Sequence, residues 1–276
     1  MINLKTIFVS LCLAGSLGLS GGVLAAGGGG VAAKQIPWSF GGLFGTYDEN
    51  QLQRGFQVFR ESCSACHGAR LLAFRNLSEE GGPGFSEAQV KLLASEYTIL
   101  DADTLDGERP GVAADRWPSP FATEQDARDS NNGAAPPDFS VLAKARGIPQ
   151  KFPYWAFNYF TAYQEGGPDF IYNLLVNYEE PPHDFELGEG QAYNAFLGAG
   201  LSMQPPLFDG AIDYESDAFP ETIEQYALDV SAFMMWVADP HLVSRKELGF
   251  KVLIVLFLFA GLMYLTKRKL WAKIEH

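Results

Sequence analysis

Cysteine is almost absent from this chain: three residues in 276, at positions 12, 63 and 66. Histidine occurs four times and methionine five. These scarcities narrow the metal chemistry. A structural zinc site takes four ligands, usually two cysteine pairs or cysteines with spaced histidines, and no second cysteine pair exists to complete one. A disulfide-stapled scaffold is excluded for the same reason. Cations are also scarce. Residues 27–240 carry 31 Asp and Glu against 12 Lys and Arg, a balance of −19. A surface of that sign repels nucleic acid, so no nucleic-acid partner is expected. It attracts basic proteins and speeds their encounter in a salt-dependent way. No internal repeat, no convincing set of strands and no nucleophile–base constellation stands out. The chain alone is therefore expected to catalyse no bond chemistry.

Long apolar runs are confined to the two ends. At the N-terminus Lys5 precedes an apolar stretch from Ile7 to about Leu19, followed by small residues with Val23 and Ala25 before a plausible cleavage point. This reads as an export leader, residues 1–25, cut after Ala25 or Ala26 and taking Cys12 with it. Near the C-terminus, residues 248–266 carry one charge, Lys251, close enough to the edge to snorkel. Nineteen helical residues span roughly 28 Å, about the hydrocarbon thickness of a bilayer. Lys267, Arg268, Lys269 and Lys273 follow, so the short tail is expected in the cytoplasm. The organisation that results is a leader, an exported domain at 26–240, and an anchor segment at 241–276.

Within the exported domain the period of apolar residues points to helices. "TYDENQLQRGFQVFRESCSACH" has Asp48 as a cap and Leu52, Phe56, Phe59 and Cys63 on one face. Gly55 inside that helix implies a second helix in close approach. A short helix is expected around Ser86–Tyr97, a turn or two in "DFSVLAKARG", and a helix from near Pro168 that ends before Pro181. "PETIEQYALDVSAFMMWVADP" gives the clearest helix, with an apolar stripe of Ile223, Tyr226, Ala227, Val230, Phe233, Met234 and Val237. Residues 78–140 are otherwise loop-rich, and 190–210 read as extended or irregular around Pro205–Pro206. The class is mainly α with long loops.

The remaining two cysteines stand in Cys63-Ser64-Ala65-Cys66-His67. A thioredoxin-like redox pair belongs where a strand meets a helix in a βαβ unit, and here an amphipathic helix precedes it. Covalent haem needs only these five residues. The two thiols add across the haem vinyls and the histidine reaches the iron. Export fits, because such haem is attached outside the cytoplasmic membrane. The candidates for a sixth ligand are Met203, Met234, Met235, Met263, His183, His241 and His276. Met234 lies in the core stripe and Met235 beside it. His183 follows "EEPP" in a loop and stays open as a bis-histidine alternative. Met203 has the more favourable context, an extended segment stiffened by two prolines, which lowers the entropy cost of holding a thioether in place. The haem propionates want cationic partners, and the arginine options are Arg54, Arg60, Arg70, Arg75, Arg116, Arg128 and Arg146.

Several separated motifs, "RGFQVFRESCSACH", "NNGAAPPDFSVLAKARG", "EGGPDFIYNLLVNYEEPP", "SMQPPLF" and "DVSAFMMWVADPHLVSRKELGFKVL", together resemble the cytochrome c1 family, and its bacterial members most. The resemblance runs from about Phe40 to the C-terminus. It implies a class I cytochrome c-like haem domain with long loop insertions, plus one C-terminal transmembrane helix. It implies one haem c on Cys63 and Cys66, axial ligands His67 and Met203, Arg146 as a propionate partner, and Asn131, Pro136 and Pro137 lining the haem pocket. It further implies a place in a dimeric cytochrome bc1 complex with cytochrome b and a Rieske iron–sulfur protein, which passes one electron to this subunit for delivery to a cytochrome c. The location implied is the bacterial inner membrane, single-pass, with the haem domain in the periplasm. The chain departs from many relatives at Phe170, where they place a tyrosine near the propionates, at Gln204 after the ligand methionine, and in having no cysteines for a disulfide that steadies the methionine loop in some bacterial members. The aromatic segment 148–164, Trp155 included, is expected to supply packing there. Two other readings stay open: a stand-alone anchored c-type cytochrome serving another reductase or oxidase, and a haem-based sensor with an open iron.

Overall fold

The structure is a computed structural model that describes residues 30–148, 166–216 and 218–272. The expected leader, the aromatic segment from 149 on with Trp155, and the last four residues with His276 lie outside the described residues.

Helix α1 (Glu49–Val58) starts where Asp48 accepts a hydrogen bond from the Gln51 amide at 2.9 Å. It runs into a five-residue π-helical turn, Phe59–Cys63. A 3-10 turn (Phe74–Ser78) leads to α2 (Glu87–Ser95), whose Ser86 and Gln89 form a reciprocal capping box. Two short antiparallel pairs follow at separate places in the chain: β1 (Thr98–Leu100) with β2 (Glu108–Pro110), and β3 (Ala192–Asn194) with β4 (Ala199–Leu201). Between the pairs lie α3 (Glu124–Ser130), a 3-10 turn at Phe139–Val141, α4 (Leu142–Ala145) and α5 (Gly167–Val176). Helix α6 (Ile223–Ala238) and α7 (Leu242–Trp271) complete the described chain. The mainly helical class stands. The two hairpins correct the expectation of no strand set; strands of three residues are too short to show an alternating pattern.

Helix α6 is the hub. It packs against α1, α4, α5 and the 139–141 turn. From Asp229 to Trp236 every residue is buried, so the single stripe read from the sequence understates the burial. With partners on several sides, α6 has no solvent face along its middle. Gly55 supplies the close approach that its position implied. A Cβ there would collide with the Asp229 carbonyl oxygen and lie 2.7 Å from the Phe233 Cβ. Gly55→Ala should therefore push α1 off α6 and cost about 1–3 kcal/mol, read as a lowered midpoint in thermal or denaturant unfolding; an unchanged midpoint would show that the helices can separate freely.

The same α1–α6 contact holds an ion pair. Arg54 donates Nε to Asp229 Oδ2 at 2.9 Å and a terminal nitrogen to Oδ1 at 3.0 Å. Tyr214 Oη and Gln225 Nε2 also donate to Oδ2, at 2.9 and 3.0 Å. Asp229 has no exposed surface. The Arg54 guanidinium lies over the Phe219 ring, 3.5 Å from its centroid. The same two helices also share an aromatic cluster, in which Phe56, Phe59, Phe74, Tyr97, Trp117 and Phe233 make tilted and edge-on contacts.

At the α6–α7 junction, Asp239 faces Lys144 at 2.8 Å and Arg245 at 2.6 Å. Burial alone would raise its carboxyl, but the hydrogen bonds from Arg245 and Lys144 outweigh that and hold it below the ordinary carboxylate range. Tyr47 Oη donates to the Asp239 carbonyl at 3.1 Å. The domain is thus clamped to the start of α7, the one helix among the described residues long and apolar enough to cross a membrane. It extends past the predicted 248–266 at both ends, because its charged flanks continue the helix beyond the hydrocarbon.

Candidate functional site

The π-helical turn ends at Cys63, whose carbonyl accepts from the Cys66 amide at 3.1 Å and the His67 amide at 2.9 Å. π-turns of this kind recur at functional sites. Here the turn winds Cys66 and His67 back over Cys63. Cys63 is buried and Cys66 exposed, and both are free. Burial, with Cys66 beside it, pushes the Cys63 thiol up to about 12. Among the described residues no three His, Cys, Asp or Glu side chains gather as a metal site. The pair stands with one thiol buried, the other exposed and His67 directly behind, the order in which a c-type haem is attached.

His67 is held on two sides. Its Nδ1 lies 2.8 Å from the Pro137 carbonyl oxygen, and its ring stacks on Phe139 with centroids 4.4 Å apart. Burial depresses the imidazole below its ordinary value, against the Pro137 hydrogen bond and the Asp138 charge that raise it. The neutral ring then donates Nδ1–H to Pro137 and presents the Nε2 lone pair, the arrangement a metal-ligating histidine uses. Segment 137–140 is itself fixed against the cysteine turn. The Phe139 amide donates to the Gly68 carbonyl at 2.7 Å, the Arg70 amide to Asp138 Oδ2 at 3.0 Å, and the Leu71 amide to Ser140 Oγ at 2.9 Å. These residues fit a haem c, with two alkylable thiols and an oriented imidazole at the required spacing.

Met203 follows the β3–β4 hairpin and is half-buried. Tyr178 Oη donates to its carbonyl at 3.1 Å, and Gln204 Nε2 donates to the Gly190 carbonyl at 2.8 Å. Burial pushes the Tyr178 hydroxyl well above its ordinary value, so it stays a donor. Tyr178 also bridges to Asn194, whose buried side chain donates to the Leu174 carbonyl of α5 at 2.8 Å. This chain of contacts holds the methionine segment without a disulfide. The other ligand candidates are placed otherwise. Met234 and Met235 pack in the α6 core, His183 is fully exposed beside Asp184, His241 is exposed at the start of α7, and Met263 lies on α7.

The arginines separate too. Arg54 is bound to Asp229, Arg60 to Glu96, Arg128 to Glu124, and Arg116 to the Arg70 carbonyl. The Arg70, Arg75 and Arg146 side chains have no hydrogen-bond partner among the described residues. Arg146 is exposed at the C-cap of α4. Asn131 caps α3 and donates Nδ2 to the Ala127 carbonyl at 2.7 Å; Pro136 is half-buried and Pro137 contributes its carbonyl. The structure therefore joins Cys63, Cys66, His67 and Pro137 directly. No hydrogen bond among the described residues links Met203, Arg146 or Asn131 to that turn. Phe170 packs edge-on against Phe196. Phe139, Asp138 and Tyr178 were missed as positioning residues. The first two stand in "PPDFS", whose signal was only that of a turn.

Comparison with known proteins follows the same lines. Residues 38–274 match the family described as Cytochrome C1 family. The chain is 49% identical over 240 residues to cytochrome b/c1 of Bradyrhizobium diazoefficiens, an alignment covering 85% of this chain and 35% of that protein. It is 43% identical over 243 residues to cytochrome c1 of Blastochloris viridis, covering 86% of each, and 39% identical over 287 residues to cytochrome c1 of Rhodospirillum rubrum, covering 97% of each. It thus spans about a third of the first relative's length and most of the other two.

Proposed function

The chain belongs to the cytochrome c1 family, and from that premise we propose that it is the electron-transfer subunit of a ubiquinol–cytochrome c reductase in a bacterial inner membrane. It takes one electron from a Rieske iron–sulfur protein and delivers it to a basic cytochrome c, in a dimeric complex with cytochrome b. The membrane helix anchors it once, with the haem domain in the periplasm and the short basic tail in the cytoplasm. Members of this family carry one covalently bound haem c, which supplies a one-electron iron couple when bound.

The chain's own residues do the holding. Cys63 and Cys66 are the thioether donors, and His67 and Met203 the axial ligands. Arg146, free of protein partners among the described residues, is the propionate partner, with Asn131, Pro136 and Pro137 along the pocket. The observation that carries this reading is His67, whose Nδ1 is tied to Pro137 at 2.8 Å directly behind the two thiols. Its test is purification of the tagged chain from native membranes in mild detergent. Co-elution with b-type haem and an iron–sulfur signal is expected; c-type haem alone would favour the stand-alone cytochrome.

The acidic domain is the steering surface. Asp101 and Asp115 are taken up by Arg109, which holds Asp115 down at about 2. This leaves Asp103 and Asp106 of the β1–β2 loop and Glu108 at the start of β2 exposed for a partner. Turnover with a basic cytochrome c should fall several-fold as salt rises above physiological strength, because screening shortens the reach of that field. A salt-independent rate would remove electrostatic steering from the account.

A further inference from the structure

We propose that the loop at residues 41–46 is a second membrane foot, with Leu43 and Phe44 seated at the headgroup–acyl boundary of the bilayer beside α7. Phe44 is 76% exposed and Leu43 59% exposed, yet neither faces open space of no consequence. The Phe44 ring meets Phe250 edge-on, with centroids 5.6 Å apart. Phe250 lies two residues inside the apolar run that begins at Leu248. A side chain touching it stands at the level where the helix enters the bilayer, the boundary into which Phe and Leu of interfacial segments bury.

The loop is braced in that position. Lys246 Nζ donates to the Phe40 carbonyl at 2.6 Å and reaches the Gly45 carbonyl at 3.5 Å. The Thr46 amide closes onto the Ser39 carbonyl at 3.1 Å. The neck admits no side chain at Gly45, where a Cβ would strike the Gly41 backbone, and Gly42 takes a φ of +70°. The whole stretch "WSFGGLFGTY", 38–47, carries no charge, in a domain at −19. Leu43, Phe44, Val243 and Phe250 line one groove together with Lys246, Glu247 and Lys251, an apolar floor bordered by charges of both signs, as a zwitterionic headgroup layer would meet. Continuity with the membrane run makes lipid the occupant. A helix plus a foot fixes the tilt of the domain, which a helix alone leaves free to swing.

The test is site-directed spin labelling of the haem-loaded full chain in phosphatidylcholine nanodiscs. Phe44→Cys, Leu43→Cys and, as a domain-surface control, Phe208→Cys are each labelled in a Cys12→Ser background, with the haem absorbance reporting the fold. Labels at 43 and 44 should be several-fold more accessible to oxygen, relative to a water-soluble nickel chelate, than the label at 208. Nickel accessibility at 43 and 44 equal to that at 208 would place the loop in water and overturn the proposal. Low accessibility to both reagents would mean a protein surface covers it, which also overturns it.

Discussion

Replacing Met203 with Leu should leave the haem covalently attached, lower its midpoint potential by on the order of 0.1–0.3 V within the ~0.8 V that axial ligands command, and stop quinol–cytochrome c turnover. Cys63 and Cys66 are untouched by the change, so attachment survives. Leucine has nearly the volume of methionine, and such swaps are tolerated in packed sites. Tyr178 and Gln204 still hold the segment, since both contacts are made through backbone carbonyls and the Gln204 amide. What is lost is the thioether, which favours the ferrous state and raises the potential. Each 59 mV is a factor of about ten for a one-electron couple, so such a fall makes reduction by the upstream donor unfavourable by orders of magnitude. A redox titration and a steady-state assay check this. A wild-type potential in the variant would move the sixth ligand away from Met203.

Asp229→Ala should cost about 3–5 kcal/mol of stability, the range for breaking a buried pair by removing one partner. Domains of ordinary stability hold about 5–15 kcal/mol, so a large share goes with one carboxylate. The reason lies in what stays behind. Arg54, with a side chain 15% exposed, keeps its charge against Phe219 with no counter-ion, and Tyr214 and Gln225 lose the acceptor they share. The combined Arg54→Met and Asp229→Leu change should recover much of the loss, because it removes both charges and fills the volume. Denaturant unfolding of the three proteins is the check. A single-variant cost near zero would mean that water reaches the pair in solution.

The contrast between these two sites shows what was readable in advance. The cysteine–histidine turn is local: five consecutive residues carry their own spacing. Gly55 was also legible, because a glycine on an apolar helical face has few uses other than close approach. Met203 is proposed as a ligand from its context, since the rival methionines fall in or beside a core stripe or in the membrane run; the structure adds the Tyr178 contact that holds its segment. The Arg54–Asp229 pair was not read, although its signal was present. Asp229 interrupts a helix whose neighbours on both sides are apolar, and a charge there must find a partner. The identity of that partner, 175 positions away, depends on how α1 meets α6. Arg54 was instead considered for the propionates. The same limit applies to Tyr178 and Phe139, whose roles exist only once the hairpin and segment 137–140 are folded against the site. The hairpins themselves were too short to announce a period.

In the proposed site the iron is closed on both faces, by His67 and Met203, and so serves electron transfer. The most direct measurement is the absorption spectrum of the dithionite-reduced wild-type protein with and without carbon monoxide. No change in the Soret band is expected, because neither axial position would be free. A prompt carbon monoxide shift in the folded, fully haem-loaded protein would show an open iron and contradict it.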